Sequence, residues 1–281
     1  MVRAIDVHVH PPDASGASLT SSEETQRYFR TAAPPKSADE MAELYVELDL
    51  FGVLLNIDAE TATGRAPTPN NYYADIVKRY PKQFIAFAGV DPRKGDLALH
   101  ETRRCAEELG MKGLKLMPNM GRFFPNDEQF YPLWELAQKL GMVLLIHTGT
   151  TGVGAGHPGG GGVRLKYSRP IPYIDDLAAD FPELKIIMAH PSWPWQEEQL
   201  AMLVHKPNVY MDLSGWSPKY FQPSLVQYAN TLVQDKVLFG SDYPVIRPER
   251  WLKDFEAAPF SDDVRPKILL ENAKRVLGLD V

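Results

Sequence analysis

Eight short apolar runs, separated by amphipathic helical stretches, predict an α/β fold of the closed parallel (β/α)8 type, the TIM-barrel architecture, over residues 1–281. Two further observations support this. Several runs are almost continuous in Val, Ile, Leu, Met and Phe, as strands covered on both faces are. The first turn, "HVHPPD", lacks the G-x-G-x-x-G expected at the ligand-binding turn of a doubly wound open sheet. A length of 281 residues suits one barrel domain.

The strands are expected at 3–10, 51–58, 84–91, 113–118, 142–149, 185–191, 209–214 and 237–244. The helix "SADEMAELYVELDLFG" starts at a plausible Ser37 cap and stops at Gly52. "NNYYADIVKRYP" stops before Pro81, while "DLALHETRRCAEELG" and "NDEQFYPLWELAQKLG" each end in glycine. "IPYIDDLAADFP", "PWQEEQLAMLVHKP" and "PSLVQYANTLVQD" supply the next three, and "SDDVRPKILLENAKRVLG" closes the chain as an exterior helix. Two connections are long, 11–37 and 149–170. Both follow a strand, so both fall on the C-terminal barrel face, where active sites are built. The glycine tract "GTTGVGAGHPGGGG" lacks the G-K-[ST] ending of a phosphate loop and is expected to form a lid or rim.

A formal charge of -6 gives no footprint for nucleic acid, so an anionic ligand would need local positive charge. No apolar run reaches membrane-spanning length. The single cysteine, Cys105, excludes an intramolecular disulfide and suits a reducing compartment, so a cytoplasmic protein is expected.

The polar residues at the strand ends carry the chemistry. Side chains alternate along a strand. Asp6, His8 and His10 are therefore expected to share the lumenal face of the first strand, with Ile5, Val7 and Val9 packing on the helices. Two imidazoles at i and i+2 can converge on one divalent ion. An H-x-H alone is a weak signal. "VLLIHTG", "IIMAHP" and "LFGSDYP" add His147, His190 and Asp242, each interrupting an apolar run at the same end of its strand. Unpaired titratable groups buried together are costly, and a cation removes that cost. Spacing does not separate His147 from His190 as the ligand. His100 and His205 lie in helical segments, and His157 lies in the glycine loop without an assigned role. Asp6 is a candidate to orient one imidazole, with a buried hydrogen bond to backbone as the alternative.

H-x-H on strand one, histidines on strands five and six and aspartate on strand eight resemble the signature of the amidohydrolase superfamily. "GSDYP" and "ENAKRVLGL" are similar to the branch containing aminocarboxymuconate-semialdehyde decarboxylase, amidohydrolase family 2. The resemblance implies one metal held by His8, His10, His147 and Asp242, with His190 as proton shuttle. Zinc is the first expectation, then manganese or iron. Some aromatic-acid decarboxylases of the branch carry Glu as first ligand where this chain has His8. Lys115, in "GLKLMP", corresponds in position to a lysine that is carbamylated in binuclear relatives; with a mononuclear pattern, binding of a substrate carboxylate is the preferred role.

The branch contains decarboxylases, lactone hydrolases and hydratases of small carboxylated acids. The resemblance favours non-oxidative decarboxylation of an aromatic or muconate-type acid. His190 and Asp242 would manage the proton at the carbon that loses CO2. Hydrolysis of a lactone, ester or amide is the alternative, then hydration, then a non-catalytic metal-stabilised barrel. Further expected substrate contacts are Arg122 and Arg164, with Arg169, on post-strand loops, where a guanidinium can hold a carboxylate. Trp193 and Trp216, with Trp195, are expected as aromatic walls. Relatives are often homodimers, so a homodimer is expected here.

Overall fold

The computed structural model describes residues 2–17, 23–30 and 37–281. Parts of the predicted 11–37 connection, residues 18–22 and 31–36, lie outside the described residues. Eight strands run in parallel in the order of the chain: β1 (Ala4–Val9), β2 (Leu50–Leu55), β3 (Phe84–Gly89), β4 (Gly113–Leu116), β5 (Val143–His147), β6 (Ile186–Ala189), β7 (Val209–Asp212) and β8 (Val237–Leu238). Each falls in or overlaps an expected run. Most stop short of its C-terminal end, because the last residues turn out of the ladder into the loops that build the mouth. The effect is largest at β8, where residues 239–244 are not part of the strand.

Those residues nevertheless close the barrel. Val7 N–H donates to the Phe239 carbonyl (3.0 Å), Asp242 N–H to His8 O (3.0 Å) and His10 N–H to Tyr243 O (2.8 Å). Val9 and Tyr243 form a parallel bridge.

Two apolar layers follow from strand alternation. Ala4, Leu54, Leu114, Leu144, Ile146, Met188 and Met211 pack outward on helix residues such as Met41, Trp134 and Trp251. Ile5, Val7, Phe51, Val53, Phe87, Leu145, Ile187 and Leu238 fill the lumen, with Ala273, Val276 and Leu277 packed against them. Gly113 lets Phe87 into this layer: a Cβ there would lie 2.6 Å from the Phe87 ring and 2.3 Å from the Val143 carbonyl. Burying each large side chain contributes about 1.5–3 kcal/mol, so the lumen floor is a packed plug rather than a pore.

The first strand departs from the expected alternation. Ile5 and Val7 face the lumen, not the helices. The register pairs Asp6 with Gly52 and Val9 with Leu54, so three steps on β1 oppose two on β2. This β-bulge inserts one residue and reverses the side-chain phase beyond it. Asp6 therefore does not share the face of the histidines. It accepts hydrogen bonds from Tyr45 Oη (2.8 Å) and from the backbone N–H groups of His8 (3.1 Å) and Ser241 (2.9 Å). The helix Ala38–Glu47 brings Tyr45 there; Ser37 Oγ caps it by accepting from Glu40 N–H (3.2 Å). Of the two alternatives for Asp6, the backbone-bonded one holds. Among the described residues, no helix is long and apolar enough to cross a membrane.

Candidate metal centre and active-site cavity

Past the bulge, His8 and His10 both enter the C-terminal mouth of the barrel. His147 ends β5, in phase with lumenal Leu145. His190 and Asp242 lie just beyond β6 and β8 rather than at the strand tips. Both have left-handed backbone, φ +68° and +65°, a region in which His and Asp are enriched among non-glycine residues. Lys115 ends in the same place from β4. His8, His10, Lys115, His147, His190 and Asp242 all line one cavity of about 140 Å³. Its remaining wall is mostly apolar, from Phe29, Ile57, Met117, Val153 and Val245.

The hydrogen bonds assign the ring nitrogens. His10 Nδ1 lies 3.3 Å from the Leu55 carbonyl, which can only accept, so Nδ1 carries the proton. His8 Nδ1 lies 3.0 Å from Asp212 Oδ2, which takes its proton in the same way. His190 Nδ1 is 3.1 Å from the Ser214 carbonyl, leaving Nε2 as an acceptor. That acceptor lies 3.1 Å from His147 Nδ1, which must be the donor. His8, His10 and His147 therefore each turn an unprotonated Nε2 into the cavity.

Those lone pairs meet acceptors. His8 Nε2 and His10 Nε2 lie 3.4 and 3.6 Å from Asp242 Oδ1, with no proton assigned between them. His147 Nε2 is buried and has no hydrogen-bond partner. His8 Nε2 has one donor nearby, the Lys115 ammonium (3.2 Å), and His147 Nε2 has none; lone pairs gathered beside a carboxylate are what a cation satisfies. Imidazoles that ligate metals commonly donate their other N–H to a carboxylate or carbonyl, as all but His147 do here, while His147 donates to a neighbouring imidazole. The residues present fit a divalent metal. His8, His10 and Asp242 place three donor atoms within 4.8 Å of one another, and His8, His190 and Asp212 form a second such group. His147 is in neither group; it reaches the centre through His190.

Electrostatics support the neutral imidazoles. Burial, then the neighbouring His8 ring, holds His10 well below the usual histidine range. Burial and His190 do the same to His147. Burial, then His8, lowers His190 to about 4. Lys115, whose Nζ is 3.2 Å from His8 Nε2, is lowered by burial to about 8, although Asp212 and Asp242 partly hold it up.

Sequence reasoning missed Asp212 and Ser214. Asp212 Oδ1 accepts from the backbone N–H groups of His190 (3.1 Å) and Ser214 (2.9 Å) and from the Ser214 hydroxyl. Ser214 Oγ is also 2.9 Å from His8 Nδ1 and 2.8 Å from His190 Nδ1. The available signal was an aspartate ending the apolar run "NVYMD" at the same strand end as the histidines.

The arginine expectations are corrected. Arg122 is exposed and donates to the Gly162 carbonyl (3.4 Å), and Arg164 is exposed with its backbone N–H on Asn119 O; neither lines the cavity. Arg169 is taken up by Glu198 (2.6 Å). Trp193 is half exposed and, with Trp216, lines a separate small crevice. Trp216 also lines a larger chamber that opens from the metal centre. Of the 149–170 connection, residues 151–154 cover the inner cavity, while His157 stays exposed outside it.

A parallel eight-stranded barrel with buried imidazoles and a carboxylate gathered at its C-terminal mouth defines a metal-dependent enzyme of the barrel hydrolase and lyase type. The family model described as Amidohydrolase matches residues 5–279, and the chain belongs to that family. It is 25% identical over 252 residues to 2-amino-3-carboxymuconate-6-semialdehyde decarboxylase of Dictyostelium discoideum, covering 75% of this chain and 66% of that protein. It is 23% identical to gamma-resorcylate decarboxylase of a Polaromonas strain, covering 79% of each. Among solved structures, an uncharacterised TIM-barrel protein of Bordetella bronchiseptica superposes with a TM-score of 0.78 (23% identity, 98% of each chain). The manganese-bound dihydroxybenzoic acid decarboxylase of Polaromonas gives 0.66 (20% identity, 99% and 98% covered). These structures share the barrel fold.

Proposed function

We propose that this protein is a metal-dependent, non-oxidative decarboxylase of a small aromatic or muconate-type carboxylic acid. The convergence of His8 Nε2, His10 Nε2, His147 Nε2 and Asp242 on one single-ring-sized cavity carries the reading. A cavity of about 150 Å³ holds one benzene ring. The decarboxylase relatives point to the same reaction.

In this reading His8, His10, His147 and Asp242 hold the metal, zinc by first assignment; the manganese in the Polaromonas structure makes manganese the second. The bound metal would anchor and polarise the substrate's oxygens. The apolar wall of Phe29, Ile57, Met117, Val153 and Val245 withholds water from the carboxylate, which favours its conversion to neutral CO2. The substrate carboxylate takes up one proton at the ring carbon as the carbon–carbon bond to CO2 breaks. Asp242 and His190 handle that proton. His190 is neutral at rest, its Nδ1–H on the Ser214 carbonyl and its Nε2 accepting from His147 Nδ1–H, so Nε2 can take up a proton and pass it on once that hydrogen bond is released. Lys115, beside His8, balances the charge of the incoming carboxylate. A second reading, hydrolysis of a lactone or ester, is favoured by one observation: His190 and Asp242 also face the larger chamber, from which water can approach. The lone buried Cys105 fits a cytoplasmic enzyme, and a homodimer is part of the same proposal.

Protein purified without chelator and assayed for metal is expected to carry about one ion per chain, and His10→Ala to lose it. A panel of aromatic and muconate-type acids should release CO2, and His190→Asn should keep the metal and lose most turnover. Lactone opening without CO2 release from any acid would replace the first reading with the second.

A further inference from the structure

The metal centre opens into a second, larger chamber of about 650 Å³. His147, His190 and Asp242 face both compartments, so one ligand can occupy both. The inner one, about 140 Å³, has room for a single ring. The outer one is several times larger, and its far wall is chemically different. Trp216 and Tyr220 supply aromatic surface, and Lys219, Arg247 and Arg250, with Arg30 from the loop after β1, supply positive charge. Arg247 is ion-paired to Glu249, which also lines the chamber. Lys219 lies over the Tyr220 ring at 4.9 Å and makes no hydrogen bond or ion pair among the described residues. The Arg250 side chain likewise has no such partner among the described residues. Four cations against two carboxylates, Asp242 and Glu249, around one chamber, in a chain of formal charge -6, are a local reversal of the overall field.

We propose that the substrate extends beyond a single ring and carries a second, remote anionic group, a carboxylate on a side chain, which Lys219 and Arg250 receive in the outer chamber. The reacting carboxylate enters the inner cavity; the linker lies along Trp216 and Tyr220. The two cations then set specificity and take no part in the bond change. The idea rests on the decarboxylase reading only in assigning the inner cavity to the reacting end.

The test is calorimetric binding to the metal-loaded enzyme of three probes: salicylate, 5-(4-carboxybutyl)salicylate, and the side-chain methyl ester of the latter. The dianionic probe is expected to bind about tenfold tighter than its ester, about 1.4 kcal/mol. The Lys219→Gln/Arg250→Gln double variant should abolish that preference and leave salicylate affinity unchanged. Equal affinity for dianion and ester, a preference that survives in the double variant, or no binding by any probe overturns the proposal. Repeating the series on His10→Ala separates the two ideas. A preference kept there, with salicylate bound as before, overturns the metal reading and leaves the outer site standing.

Discussion

Asparagine in place of Asp212 tests how the centre is held. Asp212 is fully buried. Burial works to raise its pKa, but the adjoining His8 ring and the hydrogen bonds from His8 and Ser214 outweigh it and hold the carboxyl below its usual range. The Asp212→Asn side chain keeps the volume and one oxygen, so the bonds from the His190 and Ser214 backbone N–H groups can persist. Its NH2 group, however, replaces the oxygen 3.0 Å from His8 Nδ1. A donor then faces a donor. The imidazole escapes by moving its proton to Nε2, the atom that faces Asp242, and one lone pair leaves the cavity. Loss of the partner behind a ligating imidazole lowers metal affinity about 10–100-fold. Loss of one hydrogen bond to a charged group costs ~1.5–3 kcal/mol of stability. Competition against a zinc-binding dye measures the first, and urea unfolding of the metal-free protein measures the second. Wild-type metal affinity in Asp212→Asn would refute the tautomers assigned to His8 and, with them, the argument that its Nε2 is a ligand.

Other perturbations probe the surrounding structure. Gly215 has φ +73°, and a Cβ there would lie 2.8 Å from His190 Nδ1 and 3.2 Å from Asp242 Oδ2; Gly215→Ala should lower kcat at least about tenfold and destabilise the fold by ~1 kcal/mol or more, and unchanged turnover with whatever substrate the panel identifies counts against the placement of His190. Asp6 is raised by burial to about 6, above the ~3.9 of an unfolded chain. The folded state holds that proton longer, so the stability this group contributes is present below about pH 4 and declines as pH rises to about 6. Wild type should therefore lose up to about 3 kcal/mol relative to Asp6→Asn between pH 4 and pH 7, and a pH-independent difference in urea unfolding would show that Asp6 titrates normally. Burial, then the Glu101 carboxylate, pushes the Cys105 thiol up to about 12; Ellman's reagent at pH 8 should label it only after unfolding, and rapid labelling of the native protein would contradict its burial.

How much of this was legible in the sequence depended on whether the signal was local. The eight strands were legible because each is a contiguous apolar run. His8, His10, His147, His190 and Asp242 were legible because each breaks such a run at one end. Asp212 carries the same signal, yet "DLSG" also looks like an ordinary turn, and only the fold shows its carboxylate behind His8. The arginines failed for a different reason. A post-strand loop can fold toward the mouth or away from it, and loop sequence does not encode which. Arg122 and Arg164 sit on segments that pack against each other, through Arg164 N–H on Asn119 O, rather than over the metal centre. The cations that line the outer chamber are Lys219, Arg247 and Arg250, which follow β7 and β8, and Arg30, which follows β1.

The bulge in β1 shows why strict alternation was the wrong rule at the site itself. With perfect alternation, Asp6 would enter the lumen behind His8, and Val7 would face the helices. A buried carboxylate would then sit in the apolar plug, far from the hydroxyls of Tyr45 and Ser241. The extra residue separates the two demands. Up to Val7, the strand obeys the lumen, which needs Ile5 and Val7 for packing. Asp6 points outward, where it accepts from the helix through Tyr45 and from the β8 loop through Ser241. After the bulge, the strand obeys the metal centre, turning both His8 and His10 inward. The same Asp6 accepts the His8 N–H, and the residue after Ser241 is Asp242. One outward carboxylate thus pins the backbone on both sides of the centre and fixes the approach of His8 to Asp242 from behind.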